Sequence, residues 1–207
     1  MRVARFMVGM MLAGGMAVAV APGCSNESVI VEPGGTQQIT GGDVDAGPAP
    51  TLTDAQIARV LQVANEGEVL LAQFGGPLAT DTATRDYNAQ MVVEHTAAKQ
   101  RLDALLQAQG ITPEDSPLSL QLQTEVQQLL TLLQGPEAPQ GAAFDLALMS
   151  AQLNAHARTA FIGDSLLGPQ VTLPALTQEV QAERQQVQQH VQEAEEIQTR
   201  LLAPTAP

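Results

Sequence analysis

The sequence has one cysteine, no tryptophan, one tyrosine and four phenylalanines. A lone cysteine, Cys24, excludes an internal disulfide and any paired-cysteine metal site. With so few aromatics, the core must be built from Leu, Val, Ile, Met and Ala. That diet, rich also in Gln and Glu, suits helices better than strands. Basic residues are scarce too: nine Lys+Arg stand against 22 Asp+Glu, a net charge of −13. Such a surface repels nucleic acid and anionic membrane faces, so neither is an expected partner. No Ser/His/Asp arrangement or glycine-rich phosphate loop appears, and Gly34-Gly35 and Gly41-Gly42 precede neither strand nor helix. The chain is therefore expected to be non-enzymatic. Long apolar runs are also lacking, since Phe6 to Val20 falls short of the roughly 20 residues a membrane span needs.

What stands at the N-terminus is ordered and informative. Arg2 and Arg5 precede the apolar run, Gly14-Gly15 interrupts it, and Ala21-Pro22-Gly23 lead to Cys24. A short basic start, an apolar centre and small residues at the end read as a secretory signal over residues 1–23. A cysteine directly after them resembles the lipobox of bacterial lipoproteins, where the thiol is lipidated. Ala21 stands where Leu is usual, and Pro22 is uncommon at its position. The alternative is cleavage after Ala19-Val20-Ala21, giving a soluble secreted chain with a free thiol. The expected partner is thus a membrane, reached through a lipid anchor on Cys24. Ser25 favours onward transport to the outer membrane, with the protein facing the periplasm. Losing Arg2 and Arg5 would leave seven basic residues against 22 acidic ones, a charge of −15. Residues 24–50 hold Pro33-Gly34-Gly35, Gly41-Gly42 and Gly47-Pro48-Ala49-Pro50 and read as a disordered tether. As a random coil it would span about 28 Å.

From Thr51 the hydrophobic period becomes helical. Thr53 with Gln56 makes a capping-box pattern, and Ile57, Val60, Leu61, Ala64, Glu68 and Leu71 share one face. A second helix begins near Asp81, carries Tyr87, Met91, His95, Ala98, Leu102 and Leu105, and stops at Gly110. A shorter one runs from Pro117 to Gln134. Phe144, Leu148, Ala151, Ala155, Thr159 and Ile162 mark a fourth, closing at Gly168-Pro169. The last starts near Leu173-Pro174 and carries Leu176, Val180, Val187, Val191, Ala194 and Leu201. Four long helices and one short one predict a single all-α bundle domain over residues 51–203.

Several motifs along these helices resemble a known family. Ala64-Asn65-Glu66-Gly67-Glu68-Val69, Met91-Val92-Val93-Glu94-His95, Phe144-Asp145 with Ala155-His156, and His190 followed by Val191 and Ala194 are similar, in order, to the motifs of a bacterial ferritin-like family. That family is catalogued as domain of unknown function 4142 and often labelled an outer-membrane protein. The resemblance covers roughly Leu52 to Leu202. It implies a ferritin-like four-helix bundle with an additional short helix, and brings no established activity with it. Gly75-Gly76-Pro77 interrupts a stretch where the family continues its first helix, so a kink or early stop is expected. Gln185-Gln186 stand where the family has Leu-Pro.

One constellation carries possible chemistry. The three histidines, His95, His156 and His190, fall on three different long helices, and Glu68 lies on the fourth. Glu68 is 13 residues before Asp81 and His95 is 14 after it, which levels them in an antiparallel pair. About Val171 the separations are 15 and 19, a mismatch of about 6 Å. His156 falls about 100° from Ala155, aligned with Asp145, Met149 and Gln152. Two readings follow. One is a buried polar network that fixes helix register, leaving a non-catalytic structural or interaction module of the cell envelope with no cofactor. The other is a periplasm-facing site for zinc or copper using Glu68, His95, His156 and His190, with Met91 or Met149 open to a copper ion. Ferritin-like di-metal sites use Glu-x-x-His pairs, which this chain lacks. Glu193, Glu195 and Glu196 read as a solvated face. The Gln-rich stretch Gln181 to Gln192 reads as a polar outer face, one that could meet an envelope protein partner.

Overall fold

The computed structural model describes residues 51–203. The signal segment, Cys24 and the tether lie outside the described residues. Five helices follow one another: α1 (Asp54–Gly75), α2 (Thr82–Gln109), α3 (Pro117–Gln134), α4 (Ala142–Ile162) and α5 (Pro174–Leu202). Local chemistry sets their limits. Thr53 and Gln56 exchange the two bonds of a capping box at 3.2 and 3.1 Å. Asp81 caps α2 through the Thr84 amide, and Ser116 caps α3, with Pro117 in its first turn. Gly110 ends α2 at φ 66°, a left-handed conformation that a Cβ would strain. As the glycines and Pro77 predict, α1 stops at Gly75 and passes into a tight 3₁₀ turn, Gly76–Leu78. Beyond α4 the chain widens into a π-helical turn, Gly163–Leu167.

Side-chain and backbone contacts fix the topology. The Glu114 amide bonds the Ala55 carbonyl at 3.1 Å, so α3 starts beside the start of α1. Leu71, Leu130, Leu133, Phe144 and Leu148 pack together, so α3 ends and α4 begins near the end of α1. Ile162 then meets Ile57 and Leu61, and Leu52 donates to Gln170, returning the chain to the first end. The path is up α1, down α2, up the crossover α3, down α4 and up α5. Two antiparallel hairpins joined by one long crossover are the ferritin-like arrangement. The all-α bundle expected from periodicity and resemblance is what the chain forms.

Two stripes differ from expectation. On α2, Leu106 is buried and Leu105 only partly so, because Leu106 faces Leu118 where the crossover begins. On α4, the face holding Asp145, Met149, Gln152 and His156 is as buried as the Phe144–Leu148–Ala151 face. Helix α4 packs against α1 and α3 on one side and α5 on the other. A helix covered on two sides shows little hydrophobic contrast.

Buried polar residues stand among the apolar ones at several levels, and at one height every long helix contributes one. One end of the bundle is closed by Ile57, Leu61, Leu102, Leu122, Ile162, Leu176 and Val180. The other end holds the Leu71–Phe144 cluster and a second one of Tyr87, Met91, Met149, Ala194 and Ile197. Between them lie Glu68, His95, His156 and His190, each at most 3% exposed.

Candidate metal centre

The three histidines meet. His95 Nε2 lies 3.3 Å from His156 Nε2 and 3.2 Å from His190 Nδ1, and the last two are 3.2 Å apart. The mismatch of about 6 Å along the axis does not separate them, because each Cα–Cβ bond leans toward its own helix N-terminus. On the descending α4, His156 leans up; on the ascending α5, His190 starts higher and leans down. The rings converge where their Cα atoms do not.

Glu68 does not join the triangle as a fourth corner. Its Oε2 accepts from His95 Nδ1 at 2.8 Å, on the far side of that ring, and lies 3.8 Å from His156 Nε2. Thr159 donates to its Oε1 at 3.3 Å. The carboxylate grouped with the histidines from the sequence is therefore a ring-orienting partner in this geometry. Met91 and Met149 pack with Tyr87 in the apolar cluster above.

The outward nitrogens decide what the inward ones offer. His156 Nδ1 faces the Gln152 carbonyl at 2.8 Å, and His190 Nε2 faces Glu94 Oε2 at 2.7 Å. His95 Nδ1 faces Glu68 and also Asn65 Oδ1 at 2.9 Å. The Asn65 amide is oriented by donating from Nδ2 to the Leu61 carbonyl, so its oxygen is the atom turned to His95. Every outward partner is an acceptor, so every outward nitrogen carries its hydrogen. In neutral imidazoles the three inward nitrogens then present lone pairs to one point. One proton placed there can serve two of the three close approaches and leaves the third lone pair against lone pair.

Electrostatics agree with a cation at that point. Burial alone would raise the Glu68 carboxyl, but attraction to the His156 and His95 rings, the hydrogen bond from His95 and the field of His190 bring it down to about 2. Burial holds His156 below its ordinary value despite Glu68, and does the same to His190 despite its bond to Glu94. Burial opposes ionisation of Glu94 as well, and the bonds from His190 and Gln90 overcome it, leaving this carboxyl lowered. Burial thus favours the neutral form of His156 and His190, while Glu68 and Glu94 behind the rings are held toward the carboxylate. Metal-ligating histidines are held and tuned by outer carboxylates and carbonyls in this way.

The triangle has the size of a metal site. A point equidistant from nitrogens 3.2–3.3 Å apart lies about 1.9 Å from each in their plane. Three nitrogens this close would hold an ion at the usual zinc–nitrogen length of about 2.0–2.1 Å. These three histidines are the group among the described residues whose ligand atoms lie close enough to hold an ion.

Asn65, Glu94 and Glu183 belong to the site's surroundings and were not singled out from sequence. Glu183, 5% exposed, accepts from Asn65 Nδ2 at 3.0 Å through Oε2, while its Oε1 has no partner. Its position was legible, since it falls three residues after Val180 and four before Val187 on the buried stripe of α5. Adjacent Glu94 and His95 diverge, as helical geometry requires, and Glu94 serves His190.

Fold and site together define a helical bundle with three histidines gathered at its centre. The profile of the family described as "Domain of unknown function (DUF4142)" matches residues 42–197, and the chain belongs to that family. No curated protein and no solved structure matches the chain.

Proposed function

We propose that this chain is a metal-binding protein of the bacterial cell envelope, holding a divalent transition ion on His95, His156 and His190. The observation that carries the reading is the triangle of inward nitrogens with every outward nitrogen engaged by an acceptor. Three imidazoles gathered on one point suit zinc or copper. Glu68 and Glu94 offset the two positive charges of the ion. Complete burial of His156 supports a binding rather than a catalytic role. The envelope address is supported by the order Arg2, apolar run, small residues, Cys24, and among the described residues no helix is long and apolar enough to cross a membrane. A purely structural polar network is the weaker reading, because it leaves lone pairs opposed.

Zinc titration of the purified protein during thermal unfolding tests the site. At 100 times Kd the native state gains about 2.7 kcal/mol, which for a domain of this size raises Tm by about 5–10 °C. His156→Ala abolishes the rise. An unchanged Tm with zinc, copper and cobalt overturns the proposal.

A further inference from the structure

The three histidines are buried, so a cation needs a way in and somewhere to pause. A narrow crevice lies among α1, α2, α4 and α5, lined by Asn65, Glu68, His95, Thr159, Glu183 and Gln186. It is too tight for a free water until a side chain moves. Gln186, half-buried on α5, donates to Glu94 Oε2 at 3.1 Å, the same oxygen that holds His190. Deeper in, Glu183 turns an unpartnered carboxyl oxygen into the crevice, its other oxygen being held by Asn65. Glu68 contributes a second carboxylate, whose Oε1 is met only by the Thr159 hydroxyl at 3.3 Å. A buried carboxyl oxygen without a partner asks for a donor or a cation.

We propose that this crevice is a second divalent-cation site, an oxygen-donor station on Glu183 and Glu68 through which metal reaches the three histidines. The inference rests on the three-histidine reading. Carboxylate, amide and hydroxyl oxygens hold a borderline ion such as zinc more weakly than three imidazoles, so an ion captured here is passed on rather than kept. Direction comes from the difference between the two donor sets. The acidic surface gathers cations around the protein, and Glu183 gives them their first fixed oxygen inside.

Stopped-flow loading of the full chain with Co(II) tests this, using the visible absorbance of tetrahedral cobalt as the readout for the triangle. Glu183→Gln keeps an oxygen for Asn65 and removes the carboxyl group that would exchange its proton for a cation. The expected result is an unchanged final spectrum and equilibrium affinity, with association about tenfold slower. Gln186→Ala, which widens the mouth, speeds loading. Glu183→Gln loading at the wild-type rate, or slowing only in proportion to lost equilibrium affinity, overturns the station and leaves the triangle standing. Absence of cobalt and zinc uptake by the wild-type chain overturns both. Should Glu183→Gln not fold, calorimetry on the wild-type chain decides. A second, weaker zinc equivalent supports the station, and strict one-to-one binding overturns it.

Discussion

Burial pushes the Glu183 carboxyl up to about 8; the Asn65 hydrogen bond opposes this, Glu179 and Glu68 add to it, and Arg101 opposes it in turn. Between its ordinary value of 4.5 and about 8, the folded chain keeps a proton that the unfolded chain releases. The folded state binds more protons there, so this group's effect on stability becomes less favourable as pH rises through that window. The loss is on the order of a few kcal/mol. Glu183→Gln removes it, so the variant gains on the wild type between about pH 5 and about pH 9 in urea unfolding with chelator present. Parallel pH profiles for the two proteins refute the assignment. At this scale much of the centre was legible: three histidines and Glu68 stand out because buried polar residues are few and each falls on its own helix. The place of Glu183 on the buried Val180–Val187 stripe was legible, but the glutamine-rich composition around it gave no sign of a role. Glu68's place behind His95 depends on ring orientation, which spacing along a helix does not encode.

Helix against helix, α1 and α4 meet closely at Gly75. A Cβ there would stand 2.3 and 2.6 Å from the Leu148 methyls and 3.0 Å from its Cγ, and Leu148 is fully buried. Gly75→Ala therefore forces α1 and α4 apart and is expected to cost about 1–3 kcal/mol despite alanine's better helix propensity. A drop in Tm of about 3–8 °C checks this, and an unchanged Tm refutes it. Helix limits were readable because caps, glycines and prolines act locally: Thr53 with Gln56, Asp81, Gly110, Pro117 and Pro174 stand where the helices begin or end. The π-helical turn was not readable. Gly163-Asp164-Ser165 is weak in helix propensity and so signals an ending, not a π turn; the bond from the Gly168 amide to the Gly163 carbonyl, 2.9 Å, marks the wider turn. The second buried face of α4 was unreadable for a different reason, since its residues are polar or small and their burial is decided by distant helices.

Across the whole molecule, the bundle class followed from periodicity, whereas the docking of the two hairpins is set by contacts 60 to 120 residues apart in sequence, such as His95 with His156 and Thr172 with Asp54. One covalent crossover joins the hairpins, and a single cysteine allows no bridge between them. An ion on His95, His156 and His190 is a cross-link in its own right, closing chain loops of 61 and 34 residues. Like a disulfide, it removes freedom from the unfolded chain if the ligands stay engaged, and otherwise favours the folded one by mass action. Unlike a disulfide, it is indifferent to reductants that do not bind metal, and it yields to chelators. EDTA is therefore expected to lower the Tm of the zinc-loaded protein by about 5–10 °C, and a phosphine reductant to leave it unchanged. On the proposed reading, a chain with one thiol has a clasp between its hairpins that answers to the supply of metal and is blind to disulfide reduction.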